Sequence, residues 1–205
     1  MSGKSPFLIL GDRSWSHGQA FAAVSRMMDR IGSLRLGAGD WVAVYVDRPD
    51  TFVFTVLALI RLRCGFMPLP SDYPAERARE LAAAYGVSAV LTDLGDRFAP
   101  AGGDTPLIEL PDPSESGGET EDAVPAGLES FRVETVSPWS ADDGMTVSRT
   151  REWYADWIDF TRNVLDIDLS DVLAVYEGTR DLFHLTWLGT WLLGGTLELV
   201  RAGNA

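Results

Sequence analysis

Two apolar segments separated only by Asp47-Arg48-Pro49-Asp50-Thr51 constrain the fold more than any other feature of this chain. The first, Trp41-Val42-Ala43-Val44-Tyr45-Val46, is nearly continuous, the pattern of a strand buried on both faces of a parallel sheet. The second, Phe52 to Leu62, is too long for a strand. Pro49 and Asp50 suit the first turn of a helix, and the run is apolar almost all round. Such a helix needs cover on every side, so it is expected between layers and not on a wet surface. Phe66-Met67-Pro68-Leu69 follows as a second strand. Pro74-Ala75-Glu76-Arg77 opens a helix that runs through Leu81 to Tyr85 and closes at Gly86, and Ser88 to Thr92 forms a third strand. Strands alternating with helices predict an α/β fold, with parallel or mixed sheets flanked by helices in layers and right-handed crossovers.

Ahead of this core, Phe7 to Trp15 reads as a short hairpin turning at Gly11-Asp12. Ser16 with Gln19 makes a capping box, and Phe21, Val24, Met27, Met28 and Ile31 repeat at helical spacing. Behind the core the pattern lapses from Leu94 to Ser130. Only Pro106 to Leu110 resembles a strand there, and a mobile part is expected near residues 112 to 127. The pattern then resumes: a strand at Phe131 to Val136, a helix at Arg149 to Val164, a strand at Val172 to Tyr176, a helix at Leu182 to Leu193 and a strand at Thr196 to Val200. The expected organisation is a first α/β unit at 1–93, an acidic linker at 94–130 and a second unit at 131–205.

The net charge of −13 is local in origin. Residues 93–143 carry 13 Asp and Glu against Arg97 and Arg132, a net of −11, so −2 is left for the rest. That acid, read as solvated loop charge, repels nucleic acid and anionic membrane, and neither is expected as a partner. The longest apolar run, Phe52 to Ile60, is too short to span a bilayer, and the first residues lack the apolar segment of a signal peptide. A cytoplasmic location is therefore expected. The single cysteine, Cys64, beside Gly65 at the end of an apolar helix, reads as a buried structural thiol in preference to a nucleophile. With two histidines and one cysteine there is no His/Cys zinc site.

Ser137-Pro138-Trp139-Ser140-Ala141-Asp142-Asp143-Gly144-Met145-Thr146-Val147-Ser148 sits between a predicted strand and a helix predicted to open near Thr150. A loop delivering a helix N-terminus is where backbone N–H groups can cradle phosphate. This loop has one glycine, a proline that removes a donor, no lysine, and Asp142 and Asp143 where an anion would sit. Each such like-charge contact costs about 3 kcal/mol at roughly 5 Å and an effective dielectric near 20.

Taken in order, Arg13-Ser14-Trp15-Ser16, Gly37-Ala38-Gly39-Asp40-Trp41-Val42-Ala43-Val44, the helix from Phe52, Gly65-Phe66-Met67-Pro68-Leu69-Pro70 and Asp72-Tyr73-Pro74-Ala75-Glu76-Arg77 resemble the N-terminal part of adenylate-forming enzymes. That superfamily includes acyl-CoA synthetases, aryl-acid ligases and the adenylation domains of nonribosomal peptide synthetases. The resemblance runs from about residue 7 to 93 and resumes from 131 to 200. It implies the layered subdomain fold of those enzymes. Their phosphate loop, roughly TSGTTGxPKG followed by V-x-x-S-H, falls on the acidic stretch. Thr135, Ser137, Gly144, Val147 and Ser148 match it with one residue missing between them, while the other glycines are absent and the lysine meets Asp143. No phosphate-binding role carries over, and no cofactor or metal is expected. Leu182-Phe183-His184, with Leu185 and Trp187 after it, is similar to the family's P-L-F-H segment, whose histidine lies near the acyl and nucleotide pockets. His184 is thus a candidate pocket residue, with Asp181 in place of the proline; a histidine satisfied by backbone at a helix start is the plainer reading. In the family the chain continues through the nucleotide contacts, the rest of the acyl pocket and a lid with a catalytic lysine, so this sequence presents one wall of such a site.

Three functions follow. The first is a non-catalytic adenylation-domain-like protein acting in a biosynthetic, specialised-metabolite pathway by binding a protein partner or a second copy. Its candidate interface residues are Trp153, Trp157 and Phe160 on one helix and Trp187 and Trp191 on another, against the alternative that these form the chain's own core. The second is an acyl- or aryl-binding protein, or ATP-independent enzyme, with His184 and Asp181 or Glu177 as acid–base groups. The third is the N-terminal half of a split adenylating enzyme. Adenylation by this chain alone is not expected.

Overall fold

The computed structural model describes residues 6–95, 105–115, 132–136, 146–150, 172–176 and 195–200, together with 153, 156–157, 159–160, 163–164 and 187–188. Four strands, β3 (Trp41–Tyr45), β4 (Gly65–Pro68), β5 (Ala89–Thr92) and β6 (Leu107–Glu109), form an all-parallel sheet in the order β4-β3-β5-β6. Its central strand alternates with period two, as a pleated strand must. Val42, Val44 and Val46 enter one core cluster, and Ala43 and Tyr45 enter the other.

Each face of this sheet has its own cover. Helix α3 (Ala75–Ala84) lays Ala78 and Ala82 against Ala43, Met67 and Val90 on one side. On the other lie α1 (His17–Gly32) and α2 (Pro49–Leu62). Beyond them is a second sheet built from β1 (Leu8–Leu10), β2 (Arg13–Trp15), β9 (Val172–Tyr176) and β10 (Thr196–Val200), ordered β2-β1-β10-β9. Residues of both sheets and both helices share one cluster. Helix α2 is therefore sandwiched, and Asp50 through Ile60 are buried without a break. Each large apolar side chain of that run contributes roughly 1.5–3 kcal/mol by leaving water.

Local signals place these elements as the sequence predicts. Gly11 takes φ +56° in the turn between β1 and β2, a conformation costly for a residue with a Cβ. The Ser16 hydroxyl accepts from the Gln19 N–H at 3.2 Å and the Gln19 side chain accepts from the Ser16 N–H at 2.8 Å, completing the capping box. Gly65 lets the Trp41 ring pack close to the backbone, since a Cβ there would lie 3.1 Å from it and push it aside by a few tenths of an ångström.

Three observations bear on the sequence reading. Hydrogen bonding crosses the expected division of the chain, since β1 pairs in parallel with β10, Leu8 opposite Leu197 and Leu10 opposite Leu199. The expected linker supplies β6 to the first sheet, and residues 112–115, expected to be mobile, are tied down: the Pro113 carbonyl accepts from Trp15 Nε1 at 3.4 Å and from Arg26 at 3.2 Å. Third, Arg149 and Thr150 do not open a helix. They end a strand, β8 (Thr146–Thr150), antiparallel to β7 (Arg132–Val136). Thr146, Val147 and Thr150 are β-branched, and that preference for extended backbone prevails. No helix among the described residues is long and apolar enough to cross a membrane.

Candidate functional site

Strands β7 and β8 bracket the stretch that matches the phosphate loop. Val136 is paired with Thr146, Thr135 with Val147 and Glu134 with Ser148, so residues 137–145 connect the two arms of an antiparallel pair. The loop therefore does not hand the chain directly to a helix, and the helix-dipole argument for phosphate binding does not apply at its end. Ser137, Asp142, Asp143 and Gly144 lie outside the described residues, as do Asp181, His184 and Trp191. Among the described residues no cluster of His, Cys, Asp and Glu could hold a metal ion.

The aromatic candidates separate sharply. Trp187 is fully buried, at 0% exposure, in the main core cluster with Phe7, Phe54 and Leu197. It lies in the core and not at the surface, in one cluster with residues of both sheets and of α1 and α2. Trp153 and Phe160 are 40% and 43% exposed, and Trp157 is half-buried. Residues 153, 156, 157, 159, 160 and 163 are helical, and the spacing of 153, 157 and 160 puts three rings in one row. Trp153 and Trp157 stack with centroids 6.1 Å apart and planes 3° from parallel, and Trp157 and Phe160 follow at 5.6 Å and 29°. Val164, one turn on, is 65% exposed. Asp156, Asp159 and Asn163, also exposed, run along one border of the row. At the β9 edge of the second sheet Val172 is 51% exposed, and Ala174, two residues on and so on the same face, is exposed as well.

A charged cluster unread in the sequence lies where α2 begins. Asp50, fully buried in the first turn, accepts on Oδ2 from Arg48 at 2.8 Å and forms an ion pair there with Arg13 at 3.1 Å. Its Oδ1 accepts from Arg48 Nε at 3.2 Å and the Thr51 N–H at 3.0 Å. Arg48 also grips both carboxylate oxygens of Asp112, with Arg48 Nη2 2.8 Å from Oδ1. Every acceptor of the buried carboxylate is thus used, which a buried charge requires. Hydrogen bonding to Asp112 pushes the Arg48 guanidinium further above its ordinary range, and Arg48 holds the Asp112 carboxyl well below the usual one. Behind them Asp93 accepts from the backbone N–H groups of Asp47 and Arg48 at 2.8 and 3.0 Å, yet burial raises its pKa. The cluster ties β2, the start of α2 and the segment after β6 together. The only advance signal was an acid immediately before an apolar helix.

A cleft of about 400 Å³ opens beside it, lined by Arg13, Trp15, Gln19, Arg26, Ser114 and Glu115 among others. Its charges have both signs and its guanidinium groups are already engaged with Asp50 and Pro113. Cys64 is buried as expected, its Sγ 3.3 Å from the Gly37 carbonyl, and burial pushes the thiol up to about 11.

Comparison with known proteins now places this fold. The model of the AMP-binding enzyme family matches residues 2–150. The hybrid PKS-NRPS synthetase gkaA of Penicillium citrinum is 35% identical over 81 residues, covering 40% of this chain and 2% of that protein. The L-proline–[L-prolyl-carrier protein] ligase of Streptomyces coelicolor is 28% identical over 98 residues, covering 45% of this chain and 18% of that protein. In structure, the chain is similar to O-succinylbenzoate coenzyme A synthetase of Bacillus subtilis in complex with ATP and magnesium ion. There the TM-score is 0.76 at 17% identity, over 98% of this chain and 55% of that one. It is also similar to the Klebsiella oxytoca NpsA N-terminal subdomain in complex with 3-hydroxybenzoyl-AMSN, with a TM-score of 0.68 at 15% identity, over 98% of this chain and 51% of that one. The chain thus spans about half the length of these solved chains and a small part of the curated relatives. The match over residues 2–150 and the shared layered architecture agree: the chain belongs to the AMP-binding enzyme family and has the fold of the N-terminal subdomains of adenylate-forming enzymes.

Proposed function

We propose that this chain is a non-catalytic adenylation-domain-like protein that acts by binding another protein in a biosynthetic, specialised-metabolite pathway. The observation that carries this reading is the row of Trp153, Trp157 and Phe160, exposed at Trp153 and Phe160 and half-buried at Trp157. Three aromatic rings held in register on a helix form a preorganised contact surface, since their stacking already fixes the rotamers that a partner would otherwise have to order. The biosynthetic context is supported by the peptide-synthetase relatives. The absence of adenylation is supported by the loop sequence, where Asp142 and Asp143 stand in place of the family's glycine-rich, lysine-bearing run.

Two measurements on the purified chain test this reading. Calorimetric titration with Mg·ATP at low salt should show no binding tighter than about 100 μM, roughly 5.5 kcal/mol. Tighter binding would restore the split-enzyme reading. Light scattering of the chain, alone or mixed with a purified synthetase from its own pathway, should show an association that Trp153→Ala with Trp157→Ala abolishes while the protein stays folded, its melting temperature lowered by only a few degrees. An association that survives the double substitution would refute the aromatic surface.

A further inference from the structure

We propose that Arg35 and Arg63, together with Arg61, form a surface that binds an acidic segment of a partner protein. No residue of the aromatic row takes part, so the two surfaces stand or fall separately.

The topology brings these arginines to one rim. Strands β3 and β4 run parallel, with Trp41 opposite Gly65, and the segments leading into their amino ends carry the three arginines. Cys64 Sγ lies 3.3 Å from the Gly37 carbonyl and the Gly65 N–H bonds the Asp40 carbonyl at 2.9 Å, so the segment of Arg35 runs beside that of Arg61 and Arg63. Arg35 and Arg63 are exposed, and Leu34, next to Arg35, is 37% exposed. Among the described residues none of the three arginines has an ion pair, and Arg61 rests 4.7 Å over the Phe21 ring. Stretches 29–40 and 61–65 carry Arg30, Arg35, Arg61 and Arg63 against Asp29 and Asp40, a net of +2. Asp40 is turned to the Gly37 N–H at 2.8 Å and the Ser88 hydroxyl at 3.3 Å.

Backbone strain singles out two of these positions. Arg35 takes φ +57° and Arg63 φ +60°, the two non-glycine residues in the left-handed region among those described. Arg63 caps α2 with its N–H on the Ile60 carbonyl, a place that helices usually give to glycine. A Cβ makes that backbone costly, and glycine would relieve it. The dipole of a helix C-terminus favours cations, but Arg30 and Arg61 already stand in the last turns of α1 and α2. Strain kept without a structural need points to use of the side chains at the surface.

Their chemistry selects the occupant. Each planar guanidinium can take a carboxylate through two parallel N–H donors. A small anion engages one guanidinium at a time, whereas a chain bearing carboxylates and an apolar residue reaches from Arg35 past Leu34 to Arg63. Long-range attraction does not help, because the protein as a whole carries −13. Binding of an acidic peptide must then come from close contacts at this rim, and nucleic acid, with its denser charge, is repelled more strongly.

The test titrates the full chain by calorimetry at low salt with a short synthetic peptide of glutamate pairs separated by leucine. The same peptide with glutamine for glutamate, and inorganic phosphate, serve as comparisons. The glutamate peptide should bind, more weakly as salt rises, and the glutamine peptide should bind at least about tenfold less tightly. Arg35→Gly with Arg63→Gly should weaken the glutamate peptide by at least about tenfold while the melting temperature holds or rises, because the strain goes with the side chains. Arg35→Gln with Arg63→Gln, which keeps the strain and removes the charge, should lose binding equally. Undiminished binding by either variant would overturn the proposal, as would a parent that fails to bind the glutamate peptide more tightly than about 1 mM. A glycine variant with a lower melting temperature would also overturn it, because the arginines would then be serving the fold. Phosphate that displaces the peptide at equal concentration would overturn the peptide occupant in favour of a small anion.

Discussion

Replacing Asp50 by asparagine tests whether the buried carboxylate organises the start of α2. The substitution preserves shape and removes the charge. With the amide oxygen in the Oδ1 position, the amide nitrogen would face Arg48 Nη2 and Arg13 Nη1, donors that now lie 2.8 and 3.1 Å from Oδ2. One charge-assisted hydrogen bond, worth about 1.5–3 kcal/mol, and one partly exposed ion pair, worth about 1 kcal/mol or less, are lost. The loss is smaller than their sum, since the Arg13 and Arg48 side chains are 43% and 32% exposed and can turn to water, and Arg48 keeps Asp112. A net destabilisation of about 2–3 kcal/mol is expected. In urea, with a slope of about 2 kcal/mol/M, the unfolding midpoint should fall by roughly 1 M at unchanged slope. Arg13→Met should cost about 1 kcal/mol or less, because its partner remains bonded to Arg48. A midpoint within about 0.2 M of the parent for Asp50→Asn would refute the claim that this buried charge is held by its two arginines.

Core and surface tryptophans should respond differently to truncation: Trp187→Ala should cost about 3–5 kcal/mol, and Trp153→Ala under about 1.5 kcal/mol, mostly from lost stacking. Thermal denaturation would refute the assignment if the order were reversed. Cys64, buried and with its thiol pushed up to about 11, should react with a disulfide reagent at pH 8 only as fast as the protein opens. Stoichiometric labelling within the mixing time would contradict its burial. Because Arg48 depresses the folded-state pKa of Asp112, that carboxylate stabilises the fold above its unfolded pKa near 3.9, and the contribution is lost as the pH falls through and below that value. Between about pH 5 and 2 the parent should therefore lose more stability than Asp112→Asn; parallel curves from denaturant titrations across that range would show that the tether contributes nothing.

What the sequence revealed and what it hid follow from how far apart the interacting residues lie. The parallel strands and α2 were legible because continuous apolar runs encode burial locally, and Ser16 with Gln19 encodes a helix start within four residues. Strand β8 was missed because Thr146 to Thr150 holds one aliphatic residue, Val147, and its extended preference comes from two threonines instead. The Arg48–Asp112 pair joins residues 64 positions apart, and nothing near either one announces the other. Trp153 and Trp187 looked alike, each a tryptophan with another four residues on. Their opposite fates are set by packing between residues distant in sequence, Trp187 sharing a cluster with Phe7, Phe54 and Leu197.

The pairing of β1 with β10 has a consequence for how the protein is made. Strand β1 sits between β2 and β10, and the Thr196 hydroxyl bonds the Pro6 carbonyl across 190 residues. At synthesis rates of about 5–20 residues per second, the hairpin bearing Phe7, Leu8 and Leu10 leaves the ribosome some 10–40 s before its permanent neighbour exists. The parallel sheet β4-β3-β5-β6 is finished much earlier, at Glu109. Phe7 and Trp15 can pack early on Phe54 of α2, whereas the edge of β1 that pairs with β10 stays unpaired until residues 196–200 emerge. In that interval the unpaired β1 edge is the place where the nascent chain is open to pairing with another chain.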